Sequence, residues 1–374
     1  MEPLLVFLTA AVVTAVATPL TARLSARVGA IAIPADRKVH ERPTPTLGGL
    51  ALLVGVMAAM GVAWQLDGYD AIFEAPTVPI GVLLAAVTVY VVGSIDDVRE
   101  ISAPAKTAGT VLAGSILNFA GVSILLFRFP PVGLISLSPD WSALVTVVLV
   151  VGMCQAINLI DGLDGLAAGI VGIAAFALFL FADELADPDI AQLAPDNVAP
   201  LIALATAGAC VGFLPYNVHP ASIFMGDGGA LLLGLLMASA SVAVGGNSTA
   251  DSSSQTFFFF APLFIPLVIL GVPIFDTAYA IVRRARNRVG VTDADKGHLH
   301  HRLMDLGHGQ RRSVAILWLW TALLSGLVLY PVYTDSDDGV LPIGIAALAL
   351  LLYTILHPQA RDERRARKDR APLP

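Results

Sequence analysis

Eleven apolar runs, each near the length needed to cross a bilayer, dominate this 374-residue chain and leave few folds open to it. They lie near 3–22, 47–66, 79–95, 105–127, 142–158, 165–182, 199–216, 228–245, 257–282, 313–333 and 340–357. A membrane span needs roughly 20 predominantly apolar residues. With 56% hydrophobic residues, only 14% charged ones and a mean hydropathy of +0.77, a soluble globular domain is excluded. The expected fold class is an all-α polytopic membrane protein of about eleven transmembrane helices. Between the fourth and fifth runs, FRFPPVGLISLSPDW (127–141) carries Pro130, Pro131 and alternating apolar residues, which predicts a small external hairpin. The ninth run contains Pro262, Pro266 and Pro273 and is expected to kink. The first run starts Met1-Glu2-Pro3 without a basic stretch and is followed by Arg23 and Arg27, so it reads as a retained span and not a secretion signal.

Orientation follows from the basic residues. Under the eleven-span map, 21 of the 22 Lys and Arg residues fall on one side and only Arg128 on the other. The positive-inside rule then places the N-terminus outside and the C-terminus in the cytoplasm. The opposite loops are acidic, with Asp67, Asp70, Glu74, Asp183, Glu184, Asp187, Asp189, Asp335, Asp337 and Asp338, so the net charge of −7 hides two unlike faces. Residues 358–374 form a basic cytoplasmic tail suited to anionic headgroups. Cys154 and Cys210 lie inside apolar runs and read as buried structural thiols.

Three short motifs stand at the cytoplasmic ends of these runs: SIDD (94–97), NLIDGLDG (158–165) and MGDGG (225–229). An ionised carboxylate near lipid costs several kcal/mol, by rough insertion scales, so its repetition at span ends points to a built site. The adjacent pair Asp96-Asp97 can share a divalent cation or leave one partner with a raised pKa; the start of a solvated loop is the competing explanation. Lys106, nine residues on, can reach back to a phosphate or pair with an acid; alone it would be a snorkelling lysine. Asp161 and Asp164 stand three apart, each followed by Gly, an arrangement that puts both on one face of a helix start, where paired Asx caps are the competing explanation. Around Asp227, Gly226, Gly228 and Gly229 let backbone approach a ligand, and the carboxylate suits Mg2+. The loop DADKGHLHHRLMDLGHGQRR (293–312) brings His298, His300, His301 and His308 among arginines. So basic a setting, with no matching Cys, favours a clamp for a multiply charged phosphate over a zinc site. Asp276 near the end of the ninth run reads as a helix-packing or pairing acid.

These blocks closely resemble the polyprenyl-phosphate N-acetylhexosamine-1-phosphate transferases, the membrane family that includes the bacterial WecA, TagO and MraY enzymes. The resemblance runs through DRKVHERPTPTLGG (36–49), Asp96-Asp97, NLIDGLDG, PYNVHPASIFMGDGG (215–229) and ADKGHLHHRL (294–303), nearly the whole chain. It implies that residues 1–357 form a single transmembrane catalytic domain in the bacterial cytoplasmic membrane, with its site on the cytoplasmic face. The implied reaction moves a sugar 1-phosphate from a UDP-sugar to a polyprenyl phosphate, giving a polyprenyl diphosphate sugar and UMP, with Mg2+ as cofactor and Mn2+ as a substitute. By motif, Asp227 resembles the principal Mg2+ ligand. Asp96 and Asp97 resemble the pair that handles the lipid phosphate and assists the metal, Asp96 being the proposed general base. Asn158, Asp161, Asp164 and Asn217 resemble the uridine and diphosphate contacts, and Phe224 a platform for uracil. Lys38, Lys106, His298, His300, His301 and Arg302 complete the charged set around both substrates. The His-Leu-His-His-Arg form of the last loop is similar to the UDP-GlcNAc branch; the UDP-MurNAc-pentapeptide branch typically carries three consecutive His and then Phe-Glu. Gly228 departs from the pattern, standing where many relatives have Ser, Thr or Ala. A homodimer is compatible with this reading, and no nucleic-acid partner is expected. Two other classes give different expectations: an ion-coupled transporter would place its acids mid-span between broken helices, and a transferase that moves the sugar without its phosphate would release UDP.

Overall fold

The computed structural model describes residues 1–33, 42–129, 133–190, 192–245, 268–287, 299–334 and 338–356. Helices fill nearly all of these stretches, in the order α1 (Glu2–Val28), α2 (Gly49–Ala63), α3 (Asp70–Glu74), α4 (Thr77–Arg99), α5 (Ala103–Phe119), α6 (Pro139–Ile160), α7 (Leu166–Leu185), α8 (Ala199–Asn217), α9 (Gly226–Gly245), α10 (Gly271–Asn287), α11 (Leu299–Asp305), α12 (Gly309–Thr334) and α13 (Val340–Leu356). Two small antiparallel pairs interrupt them: β1 (Ile31–Ala32) with β2 (Thr44–Pro45), and β3 (Leu126–Phe129) with β4 (Gly133–Ser136). The second pair is the hairpin expected from FRFPPVGLISLSPDW. It closes earlier than expected, because Pro139 sits in the first turn of α6, where a missing N–H costs nothing.

The apolar faces of these helices identify the solvent. On α1, Leu5, Leu8, Val12, Val16 and Leu20 are exposed at helical spacing, while Val6, Ala10, Thr14, Thr18, Thr21 and Ser25 on the opposite face are buried. Two of the buried hydroxyls turn back on the helix, Thr18 to the Thr14 carbonyl at 2.7 Å and Thr21 to the Thr18 carbonyl at 2.8 Å. On α13, Leu341, Ile345, Leu348 and Leu352 form a similar exposed stripe. Water does not tolerate contiguous apolar faces of this extent, and lipid does. The chain is a multi-pass membrane protein.

Among the described residues, seven helices are long and apolar enough to cross a membrane, or eight if α2 and α3, bent by 101°, form one broken span. That is short of the eleven expected. The run at 47–66 ends as a 15-residue helix whose chain then turns, with the Gly68 N–H held by Glu2 Oε2 at 2.9 Å. Helices α5 and α13 have 17 residues each, about 26 Å of rise against a hydrocarbon core of about 30 Å. The first part of the ninth run, with Pro262 and Pro266, and the basic tail lie outside the described residues.

At the centre stands α9, almost wholly buried, whereas α1 is buried along one face only. It packs against α4, α6, α8 and α2. Such contact needs small residues, since no hydrophobic force drives helices together in lipid and attraction comes from close packing. Gly93 of α4 meets Gly228, and Gly49 of α2 meets Gly229, so closely that a Cβ at Gly93 or Gly49 would overlap the facing backbone. The central helix is therefore gripped at its N-terminal turn, beside Asp227.

Candidate active site

Asp227 is the second residue of α9. Helix starts carry free N–H groups and a partial positive charge, and here a carboxylate from another helix satisfies them. Asp97, near the end of α4, accepts the Asp227 N–H on Oδ1 at 3.0 Å and the Gly228 N–H on Oδ2 at 3.2 Å. Gly226, at φ +70°, makes the turn that allows this, and a side chain there would overlap Asp97 and the Thr46 carbonyl. The stretch before α9 is clamped from the other side. The Phe224 N–H donates to the Pro45 carbonyl at 2.8 Å, and the N–H groups of Gly48 and Gly49 donate to the carbonyls of Phe224 and Met225 at 3.0 and 2.9 Å. The PTPTLGG block thus serves as a scaffold for the Asp227 turn.

With its backbone fixed, the Asp227 side chain meets two others. Its Oδ1 accepts from Asn158 Nδ2 of α6 at 3.1 Å, and its Oδ2 pairs with the Lys106 ammonium of α5. Lys106 also pairs with Asp96 Oδ2 at 3.1 Å and lies 3.4 Å from Asn158 Oδ1. Asp96 Oδ1 accepts the Ile101 N–H at 2.8 Å, closing the α4–α5 turn. Four helix ends thereby bring Asp96, Asp97, Lys106, Asn158 and Asp227 into one charged cluster, as their motifs anticipated.

Asp161 and Asp164 do not share the face of one helix start. Asp161 ends α6, whereas Asp164 precedes the α7 cap Gly165, which has φ +76°. Asp161 belongs electrostatically to the cluster. Burial pushes its carboxyl up to about 8, and the negative charges of Asp227, Asp97 and Asp164 add to the effect. Asp164 belongs to a second group. Its Oδ2 lies 2.7 Å from His219 Nδ1 and accepts the Ala221 N–H at 3.1 Å. Asn217, almost fully buried, ties the same two segments by accepting the Gly165 N–H at 3.1 Å and donating to the Ile223 carbonyl at 3.0 Å. Phe224 is half-buried beside them.

The histidine loop is only partly in view. Lys38 and His298 lie outside the described residues, and so do the side chains of His300 and His301, whose backbone belongs to α11. Arg302 of α11 donates to the Tyr279 hydroxyl at 3.1 Å and stacks over its ring at 4.7 Å, with Arg283 at 5.3 Å. Asp276 proves to be a helix cap, accepting the Leu299 N–H at 2.8 Å. His308 leaves the expected cluster: it is buried and bonds the Thr354 carbonyl at 2.8 Å, joining α12 to α13. Sequence reasoning missed His219, Tyr279 and Arg311, which donates to the His219 carbonyl from Nε at 3.2 Å and Nη2 at 3.0 Å. The signal for His219 was its place inside the PYNVHPASIF block and that for Arg311 its place in the basic loop 293–312; Tyr279 had none.

Among the described residues, no group of three or more His, Cys, Asp or Glu side chains forms a closed metal cage. What stands here are the hard oxygen donors of Asp227 and Asp96, both paired with Lys106. That donor chemistry fits Mg2+, which is commonly held by one or two carboxylates together with substrate phosphates.

Comparison with known proteins decides the family. Residues 79–245 match glycosyl transferase family 4. The chain is 37% identical over 362 residues to the decaprenyl-phosphate N-acetylglucosaminephosphotransferase of Mycolicibacterium smegmatis, covering 95% of this chain and 88% of that one. The chain belongs to the polyprenyl-phosphate N-acetylhexosamine-1-phosphate transferase family. Another family member, the probable undecaprenyl-phosphate N-acetylglucosaminyl 1-phosphate transferase of Bacillus subtilis, is 35% identical over 81% of this chain and 77% of its own. The phospho-N-acetylmuramoyl-pentapeptide-transferase of Mycobacteroides abscessus is 31% identical over 79% and 86%. All the clustered aspartates of this transferase lie inside the matched region.

Proposed function

We propose that this enzyme transfers GlcNAc-1-phosphate from UDP-GlcNAc to a membrane polyprenyl phosphate, the first lipid-linked step of a cell-envelope polysaccharide. The observation that carries the reading is the convergence of Asp96, Asp97, Lys106, Asn158 and Asp227 at the ends of four apolar helices. An oxygen of the lipid phosphate attacks the phosphorus next to the sugar, the bond from that phosphorus to the bridging oxygen breaks, and UMP leaves with that oxygen. A phosphate monoester is already largely ionised near pH 7, so the work of Asp96 as base is mainly to hold and orient. Mg2+ would be held by Asp227, assisted by Asp96, and would supply charge neutralisation at the diphosphate. Asp97 keeps Asp227 in place through the α9 backbone, and Lys106 balances the acids and can turn to a phosphate. Asn158, Asp161, Asp164, Asn217 and Phe224 receive the uridine and diphosphate. The His298–Arg302 segment and Lys38 add charge around the phosphates.

GlcNAc is favoured over MurNAc-pentapeptide by the His-Leu-His-His-Arg loop and by the higher identity to the relatives named for N-acetylglucosamine. The basic loops support a cytoplasmic site in a bacterial inner membrane, with the N-terminus outside; a cysteine at Asn287 should then label only after permeabilisation. The test of function is to supply purified protein with Mg2+, polyprenyl phosphate and UDP-GlcNAc and to identify the nucleotide released. UMP is expected. Release of UDP would mean sugar transfer without phosphate, and UMP only with UDP-MurNAc-pentapeptide would move the enzyme to the other branch.

A further inference from the structure

The pairing of His219 with Asp164 is outside the charged cluster just described, and none of the sequence motifs assigned it a role. The Asp164 side chain is 9% exposed and that of His219 39%, so a sheltered carboxylate is covered by a partly open imidazole. One oxygen, Oδ2, takes both local contacts, His219 Nδ1 at 2.7 Å and the Ala221 N–H at 3.1 Å. A carboxylate cannot donate, so the imidazole carries its proton on Nδ1. Oδ1 has no hydrogen bond among the described residues. His219 is itself fixed, because the Arg311 guanidinium grips its carbonyl with two nitrogens. Asn217, two residues earlier, binds the Gly165 N–H beside Asp164. The two segments therefore hold each other at three points, and His219 is the only one of those contacts made by a half-open side chain.

We propose that His219 is a positioning residue for the nucleotide donor: it holds Oδ2 of Asp164 so that Oδ1 accepts a hydroxyl or imide N–H from the nucleoside half of the UDP-sugar. This rests on the proposed reading of Asp164 as a donor contact. A partly exposed carboxylate–imidazole contact with no further task contributes little to stability. Here the pair sits on the turn between α6 and α7 that also carries Asp161, and it removes one of two rotational choices from a carboxylate that must meet a planar ligand.

The experiment measures steady-state kinetics of the full-length enzyme against both substrates, together with UMP binding by calorimetry. His219→Ala should raise KM for UDP-GlcNAc and Kd for UMP on the order of tenfold, as expected for losing the orientation of one charge-assisted hydrogen bond. It should leave KM for polyprenyl phosphate unchanged and kcat within about threefold. His219→Asn, whose amide N–H stands near the place of Nδ1, should recover most of the loss; His219→Gln, whose amide reaches too far, should not. An equal rise in both KM values, or an earlier thermal midpoint with unaltered donor KM and UMP binding, would show a merely structural pair and overturn the inference. Asp164→Asn separates the two readings: unchanged donor KM there refutes Asp164 as a donor contact, whereas a large rise beside a silent His219→Ala refutes only the role of His219. If His219→Ala does not fold, the contrast between Asn and Gln decides alone, and equal behaviour of those two overturns it.

Discussion

Replacing Asp97 by Asn separates a chemical role for this residue from a scaffolding one. In the native structure its two carboxylate oxygens accept the N–H groups of Asp227 and Gly228 at 3.0 and 3.2 Å. An amide can keep one of these bonds through its oxygen, but its NH2 group turns a donor toward the other N–H. The loss combines a weakened helix cap, about 1 kcal/mol, with an unsatisfied buried donor, about 1–3 kcal/mol, or about 2–4 kcal/mol together. Because Asp227 follows its own backbone, the first turn of α9 must shift, and near-attack geometry tolerates less than about 1 Å of displacement. The expected result is a lower thermal unfolding midpoint in detergent, with or without Mg2+, accompanied by a large fall in kcat for UMP release. Asp97→Ser, short but able to accept one N–H, should lie between Asn and wild type in stability. Unchanged unfolding of Asp97→Asn together with abolished turnover would refute the capping argument and make Asp97 a chemical group, either metal ligand or base.

Asp227→Asn should abolish turnover at saturating Mg2+ while the purified protein remains monodisperse, since its Asn158 contact can be kept but the charge at the diphosphate is lost; retained activity would move the metal role to another carboxylate. Asp161 ionises at about 8 in the fold and near 4 when unfolded, so between those values the folded protein binds more protons and its stability falls as pH rises. Thermal midpoints of chelator-treated protein from pH 5.5 to 8.5 should therefore decline more steeply for wild type than for Asp161→Asn, and parallel curves would count against this. Gly93→Ala places a methyl against the Gly228 backbone and should cost about 1–3 kcal/mol of stability, with a loss of activity exceeding that of Gly61→Ala on α2, where a Cβ meets nothing within 4 Å.

Hydrophobic run length and Gly-marked carboxylates were legible in the chain because both are local. Apolar runs report helices to within a few residues at α4, α6 and α7, and the hairpin at Leu126–Ser136 follows from local alternation and turn residues. The membership of Asp96, Asp97, Lys106, Asn158 and Asp227 in one site was readable too, since each charge stands at the edge of an apolar run and must be compensated there. What each charge does was not readable. Asp97 looked like a ligand and caps a helix 130 residues away; Asp276, read as a packing or pairing acid, is buried and also holds the first N–H of α11; Asp161 and Asp164 looked like neighbours and face different groups. The short helix α3 after the bend was hidden as well, because Asp67, Gly68, Asp70 and Glu74 read as an acidic loop. Motif spacing along a helix constrains contacts three or four residues apart, whereas these partners meet only because Gly93 and Gly49 let α4 and α2 close on the first turn of α9. Where two backbones may touch is set by which helices become neighbours, and that is a property of the packed bundle that no local pattern contains.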